Sequence, residues 1–595
     1  MRARIKRRLA LFAVMALVAA LLSGCGTQKS TITIVSPSAQ PAEYAQAGYY
    51  APDAQPVYDG AIIPAPGDVV DWSTEVAQDA ANAEHGAEGG AESGATPNHV
   101  TLDTHAGGSM ATGDMTYGVV VGMDAAINPL QTIYRDLYAV NQLVFESLVE
   151  LDQNMQPVPL LADKWEVSGN TWVFTLRSGI PFHNGAALTA YDVVASYQEI
   201  LLNPANRYWD VVQPISDMQA EDDLTLRVTS KGAGYMLLYA MTFPVAQQST
   251  VQDQLPVGTG PYLYASYNPA ISLRLEANPM WWKRASGYIR SVEVVCYRTT
   301  KAALVGLELG EIDALATDYP TAALNRSLSD RMTRDYSTQT YECIVPNLKS
   351  RILEDINVRR ALMYAIDRTT VCETAYAGMA QESEVPVIPG SWLYDPQATK
   401  FNYSPERALQ LLYDAGWADA DQNGVLEKNI DGVLTSLSLK LYTYDRGTTA
   451  NRSEAAALIA KQLRMVGFDV TVETGLQSDV LKAIDKGSFD LALCAFELSE
   501  MPNLQFLLGS NGKANYARYK SGIMDGYLQS AYVAGTADEL KSLMSKIQMQ
   551  VVEDLPILGL FFRSGLMISM ESVGGLSGTR QYDALSGLAT VTPTK

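Results

Sequence analysis

Residues that commonly do chemistry are few in this chain and badly spaced for it. Of four histidines in 595 residues, only His183 lies beyond residue 113. Histidine triads and histidine-rich zinc sites need convergent imidazoles, so neither is supported for the body of the chain. The five cysteines, Cys25, Cys296, Cys343, Cys372 and Cys494, form no C-x-x-C pair. Isolated and flanked by apolar residues, the last four read as small buried hydrophobes. One disulfide is possible in an exported chain, with partners that spacing does not identify. Asp419, Asp421, Asn423, Gly424 and Glu427 look like the first half of a calcium loop, but Ile430 stands where the bidentate acid belongs, so no metal site is expected. Gly258-Thr259-Gly260-Pro261-Tyr262 has the glycines of a phosphate loop without the following Lys-Ser/Thr, and Pro261 would interrupt the helix start. Catalysis and resident cofactors are therefore not expected. The 32 tyrosines suit a binding cleft lined by amphipathic rings.

The elements around these residues are clearer. Between Leu143 and Leu201, Trp172, Phe174 and Leu176 alternate with polar or smaller neighbours, the period-two pattern of a strand with one buried face. Ser168-Gly169-Asn170 turns the chain beforehand, so 164–167 and 171–177 read as a hairpin. After the Asn184-Gly185 turn, Thr189 and Asp192 have capping-box spacing ahead of Val193, Val194, Tyr197, Ile200 and Leu201 on one helix face. Further on, Thr116 to Val121, Leu224 to Thr229 and Ser291 to Arg298 read as strands. Ser404-Pro405-Glu406 opens a helix, and Val358, Ala361, Leu362, Ala365 and Ile366 share a helix face. Arg359 and Arg360 on that helix read as solvated charges, with an anionic ligand as the other use. Helices alternating with strands imply α/β architecture with covered sheet faces.

The words in this order resemble the family 5 bacterial extracellular solute-binding proteins, the peptide-binding subunits of ABC importers. "PLLADKWEVS" followed by "TWVFTLRSGIPFHNGAALTAYDVVASY" is similar to the family's signature region. GTGPY at 258–262, LVGLELGEIDA at 304–314, NVRRALMYAID at 357–367, FDLALC at 489–494 and EDLPILGLFFR at 553–563 resemble its later motifs. The resemblance covers about Asp114 to Lys595. It implies a two-lobe α/β fold of the periplasmic-binding-protein type, with a hinge between lobes: lobe I at 114–296, lobe II at 297–556, and a return to lobe I at 557–595. It also implies capture of an oligopeptide and delivery to ABC permease and ATPase subunits, with no enzymatic step. Alternative cargoes on this fold are a sugar or a nickel complex, and a non-transport surface sensor is a further alternative. A monomer is expected.

The beginning of the chain supplies an address. Arg2, Arg4, Lys6, Arg7 and Arg8 precede the apolar run Leu9 to Leu22, too short to span a membrane, so residues 1–24 read as a signal peptide. Leu22-Ser23-Gly24-Cys25 looks like a lipobox, which would make Cys25 the lipid-bearing residue and hold the protein at the outer face of the cytoplasmic membrane. An ordinary cleavage site or an uncleaved anchor is the alternative. Cutting before Cys25 removes five positive charges and takes the formal charge from −21 to −26. Such acidity repels phosphates and excludes nucleic acid as a partner. Residues 25–113, rich in Ala, Gly, Pro and acids, read as a disordered tether.

In many peptide binders of the family an Asp after the "FD" strand pairs with the ligand's α-ammonium. Aligned from that strand, the position falls on Ser499, preceded by the aromatic Phe496. Aligned back from Pro502, it falls nearer Glu497 or Leu498. Either Glu497 or Glu500 supplies the counter-charge that a buried ammonium requires, or both face solvent and the ligand has no free amine. Cys494 lies on the strand itself, and Asp124 and Ala125 are cleft candidates from the loop after the first strand.

Overall fold

The chain's first strand, β1 (Asp114–Val120), is apolar enough to be covered on both faces, and burial of Tyr117 and Val119 fixes it inside a large sheet. The computed structural model describes residues 113–122, 125–283, 289–444, 452–570, 576, 580–585 and 587–588, all within the unit Pro56–Lys595. Cys25, the expected signal and tether segments, and Asp124 lie outside the described residues.

A short pair, β2 (Val149–Leu151) and β3 (Pro157–Pro159), leads into the signature region. There β4 (Ala162–Ser168) and β5 (Thr171–Leu176) form the expected hairpin, with Gly169 at φ +59° in its turn. Two more strands, β6 (Ile215–Ala220) and β7 (Thr225–Ser230), complete a four-stranded antiparallel sheet in the order β4-β5-β7-β6. Trp172, Phe174 and Leu176 face inward from β5, as their alternation requires. The helix Ala190–Leu201 follows; the Asp192 carboxylate accepts the Thr189 N–H at 2.8 Å and the Gln248 N–H at 2.7 Å. One capping residue thus starts the helix and ties it to the next segment.

The chain then returns to the main sheet with β8 (Tyr262–Asn268), β9 (Ser272–Ala277), β10 (Ser291–Tyr297) and β11 (Ala314–Thr317). Next come β12 (Arg331–Pro346), the short β13 (Ala380–Glu382), and the hairpin β14 (Glu427–Ile430) with β15 (Val433–Ser436). The last strands are β16 (Ser438–Thr443), β17 (Asp469–Thr474), β18 (Leu491–Glu497) and β19 (Leu558–Met570). The main sheet runs β17-β16-β18-β12-β19-β11-β1-β10-β9-β8, with β13 on β19.

Two long strands join the halves of this sheet. Residues 331–337 of β12 pair with 564–570 of β19, and 341–344 pair with 558–562; the register breaks across Thr338-Gln339-Thr340. On one side of the break β19 also holds β11, and on the other side β13. Gly565 makes the crossing possible: a Cβ there would meet the Tyr336 ring at 2.0 Å. Among the described residues, no helix is long and apolar enough to cross a membrane.

Candidate functional site

The expected site words fall where β18 ends. Its sequence LALCAFE is apolar through Phe496, so the strand is buried on both faces until Glu497 brings it out. Cys494 and Phe496 are 3% and 1% exposed. Cys494 faces Cys343 across the β12–β18 ladder, and Phe496 stacks on Tyr516. These two residues belong to the core of the sheet. Burial raises the thiol pKa of all four described cysteines, which are free. Ala125 is buried at 9% exposure.

Beyond β18 the chain turns away through Leu498 to Leu504, presenting Ser499 and Glu500. Glu497 Oε2 accepts the Thr340 hydroxyl at 2.9 Å, beside the register break. Ser499 Oγ accepts the Met501 N–H at 3.2 Å. Glu500 reaches furthest: its Oε2 accepts from Arg207 Nη2 at 2.8 Å, and its Oε1 is 4.0 Å from Arg580. Arg207 lies on the face of Tyr582, 3.5 Å from the ring centroid, with Tyr138 and Tyr208 at about 5 Å. Arg580 also binds Asp583 at 2.8 Å and the Leu151 carbonyl at 2.9 Å. Arg207 is therefore sandwiched among tyrosine rings with Glu500 as its counter-charge, Arg580 pairs with Asp583 beside them, and burial pushes the Tyr582 hydroxyl up to about 12.

Next to this cluster is a cavity of about 470 Å³. Tyr138, Asn141, Tyr208 and Thr242 line it, with Glu500, Arg580 and Asp583 at one end. Its wall carries Glu146, held by the indole N–H groups of Trp282 (2.7 Å) and Trp281 (3.2 Å) and by the Thr259 hydroxyl (2.9 Å). Burial raises the Glu146 pKa, but its carboxylate chiefly staples this wall to the 258–262 turn. His183 does the same from the signature turn, its Nε2 3.1 Å from the Gly260 carbonyl and its pKa driven down to about 4 by burial. A second cavity of about 50 Å³ is lined by the same loop, Leu498 to Leu504, and shares Glu500 with the first.

Other singled-out residues have structural uses. Arg359 is 7% exposed rather than solvated, donating to the carbonyls of Leu353 (2.6 Å), Glu354 (2.9 Å) and Asp554 (2.8 Å). Arg360 pairs with Glu553 at 3.7 Å. In the calcium-like loop, Glu427 comes within 4.8 Å of Asp419 and Asp421. The Asp419 oxygens accept the N–H groups of Asn423 and Gly424, both at 3.0 Å, so the carboxylate closes its own turn.

Sequence reading missed Arg207, Arg580, Tyr138 and Tyr582. Arg207 and Glu500 lie 293 residues apart, and no spacing rule links them. The available signal was compositional: arginine set among aromatic residues at Arg207-Tyr208-Trp209 and Arg580-Gln581-Tyr582.

Residues 156–517 match the family described as bacterial extracellular solute-binding proteins, family 5, middle. The chain belongs to that family; it is a solute-binding protein and not an enzyme. It is 24% identical over 512 residues to the oligopeptide-binding protein AppA of Bacillus subtilis, covering 79% of this chain and 90% of that one. It is 26% identical over 501 residues to heme-binding protein A of Haemophilus influenzae, covering 76% and 87%. A solved structure of a nickel ABC transporter protein from Bacillus halodurans superposes with a TM-score of 0.67 at 20% identity, over 79% and 98% of the two chains. The fold is thus the two-lobe periplasmic-binding type.

Proposed function

We propose that this protein captures oligopeptides in the 470 Å³ cavity and hands them to an ABC permease. The observation that carries this reading is the cavity's construction: Tyr138 and Tyr208 come from one side of the strand crossing, and Glu500 comes from the other. We assign the crossings to Thr338–Thr340 on β12 and Arg563–Gly565 on β19, which leaves residues 297–337 with lobe I. Glu500 then belongs to lobe II, and its ion pair with Arg207 spans the cleft. A cavity of this volume lies within the usual range for small-molecule sites and suits a short peptide. The similarity to an oligopeptide-binding relative supports the same cargo.

In this reading Glu500, which lines the cavity, neutralises Arg207, fastens the closed form and is the candidate counter-charge for a ligand ammonium, whereas Glu497 bonds the Thr340 hydroxyl and is not among the lining residues. By family position, Asp124 and Ala125 are further cleft candidates. Cys25 carries the lipid, and residues 25–113 are the tether that holds a monomeric body off the membrane. A sugar or a nickel complex remains the alternative cargo, because Ser499 stands where an Asp is expected. Nickel is disfavoured by chemistry: His183, the single histidine beyond residue 113, is occupied at the Gly260 carbonyl. The test is calorimetry with free and N-acetylated peptides. Binding that needs a free amine and is weakened in Glu500→Gln supports the reading. Indifference of the protein to every peptide overturns it.

A further inference from the structure

The smaller cavity behind the Glu500 loop has a composition unlike the larger one. Its walls are Met155 and Tyr239 from lobe I with Trp392, Leu504, Phe506 and Met544 from lobe II, so closure assembles it. Several of its polar groups bond within the protein. The Tyr239 hydroxyl donates to the Met155 carbonyl at 3.2 Å and receives the Trp392 indole N–H at 3.0 Å. The Asn503 side-chain oxygen accepts the Gln505 N–H at 3.1 Å, Ser499 accepts the Met501 N–H, and Glu500 holds Arg207. Most of the lining is apolar, with Pro386, Val387, Ile388 and Leu393 beside the residues already named, so an apolar occupant is stabilised by burial.

We propose that this 50 Å³ pit is a specificity subsite for one small branched aliphatic side chain of the peptide ligand. The proposal rests on peptide capture in the adjoining cavity. Glu500 lines both spaces, so they adjoin at that residue, and in the proposed pose a peptide in the larger one extends one side chain past Glu500 toward the smaller. Size sets the class of side chain. A dry cavity that takes benzene measures about 150 Å³, and 50 Å³ is a third of that, so a valine or leucine tip enters and a phenyl ring does not.

The test is calorimetry of the mature protein with trialanine and its single-position Val, Leu and Phe derivatives. Filling the pit should tighten binding roughly tenfold or more over Ala at one peptide position, with Phe no better than Ala there. In Ser499→Leu, which adds bulk at a lining residue of the pit, that Val/Leu preference should collapse to the Ala level. Affinities that are flat across the series, or a Phe peptide as tight as the Leu peptide, would overturn the subsite while leaving peptide capture intact. Failure of every peptide to bind would overturn both. The wild-type series decides the matter even if the variant does not fold.

Discussion

The charge cluster at the cleft shows what single residues contribute. Arg207 is compensated by Glu500 and by three tyrosine faces, so removing the carboxylate leaves a desolvated guanidinium with only π partners. Glu500→Gln should weaken ligand binding about tenfold or more and lower stability by about 1–2 kcal/mol, read by calorimetry and thermal melting. His183 gives a prediction in pH. Its folded pKa is about 4 against an ordinary value of 6.5, so the folded state favours the neutral ring. The stability it contributes is present above pH 6.5 and is lost as pH falls from 6.5 toward 4. Melting should therefore weaken across that window by about 2 kcal/mol, allowing for partial exposure, and His183→Gln should flatten that part of the profile. At this scale the sequence named Glu497, Ser499 and Glu500, because they follow a recognisable strand. It did not name Arg207 or Arg580, because their partnerships are purely tertiary.

Elements show a different division between what could be read and what could not. The β4–β5 hairpin and the helix after Thr189 were legible because one face of each is wet, and periodicity reports that asymmetry. The crossing of β12 was not legible: from Thr338 onward it is buried on both faces, and its polar Thr-Gln-Thr step reads as a loop. Under the proposed lobe assignment, a further join between the lobes is made by backbone groups. Gly234 N–H donates to the Tyr532 carbonyl at 2.8 Å, and Tyr235 N–H donates to the Ala534 carbonyl at 2.6 Å. A Cβ on Gly234 would sit 2.1 Å from the Ala534 oxygen. Gly234→Ala should therefore hinder closure, lowering ligand affinity with little change in the melting of the ligand-free protein. Unchanged affinity would show that this contact does not limit closure. Within lobe II, Glu342 and Arg452 form a bidentate pair at 2.8 and 3.0 Å, exposed 0% and 2%. Glu342→Ala leaves a buried unpaired guanidinium and should cost about 3–5 kcal/mol, measured by denaturant unfolding.

At the scale of the whole molecule, two long strands cross the main sheet, and the larger cavity is lined by residues between Tyr138 and Lys283, with Glu500, Arg580 and Asp583 added from far along the chain. The fold was legible from ordered motifs spread over nearly all of the body; the cargo was not, because ligand identity resides in contacts between residues far apart in sequence. The strong negative charge keeps phosphate-rich partners away and leaves local features, the Arg207–Glu500 pair and the apolar pit, to set selectivity. The most direct test of peptide capture is native mass spectrometry of the mature protein purified from rich medium, followed by thermal melting with a peptide library. Co-purified short peptides, and a melting temperature that rises with peptide concentration as linkage demands, are predicted. An empty protein whose melting ignores peptides but shifts with sugars or nickel chelates would contradict it.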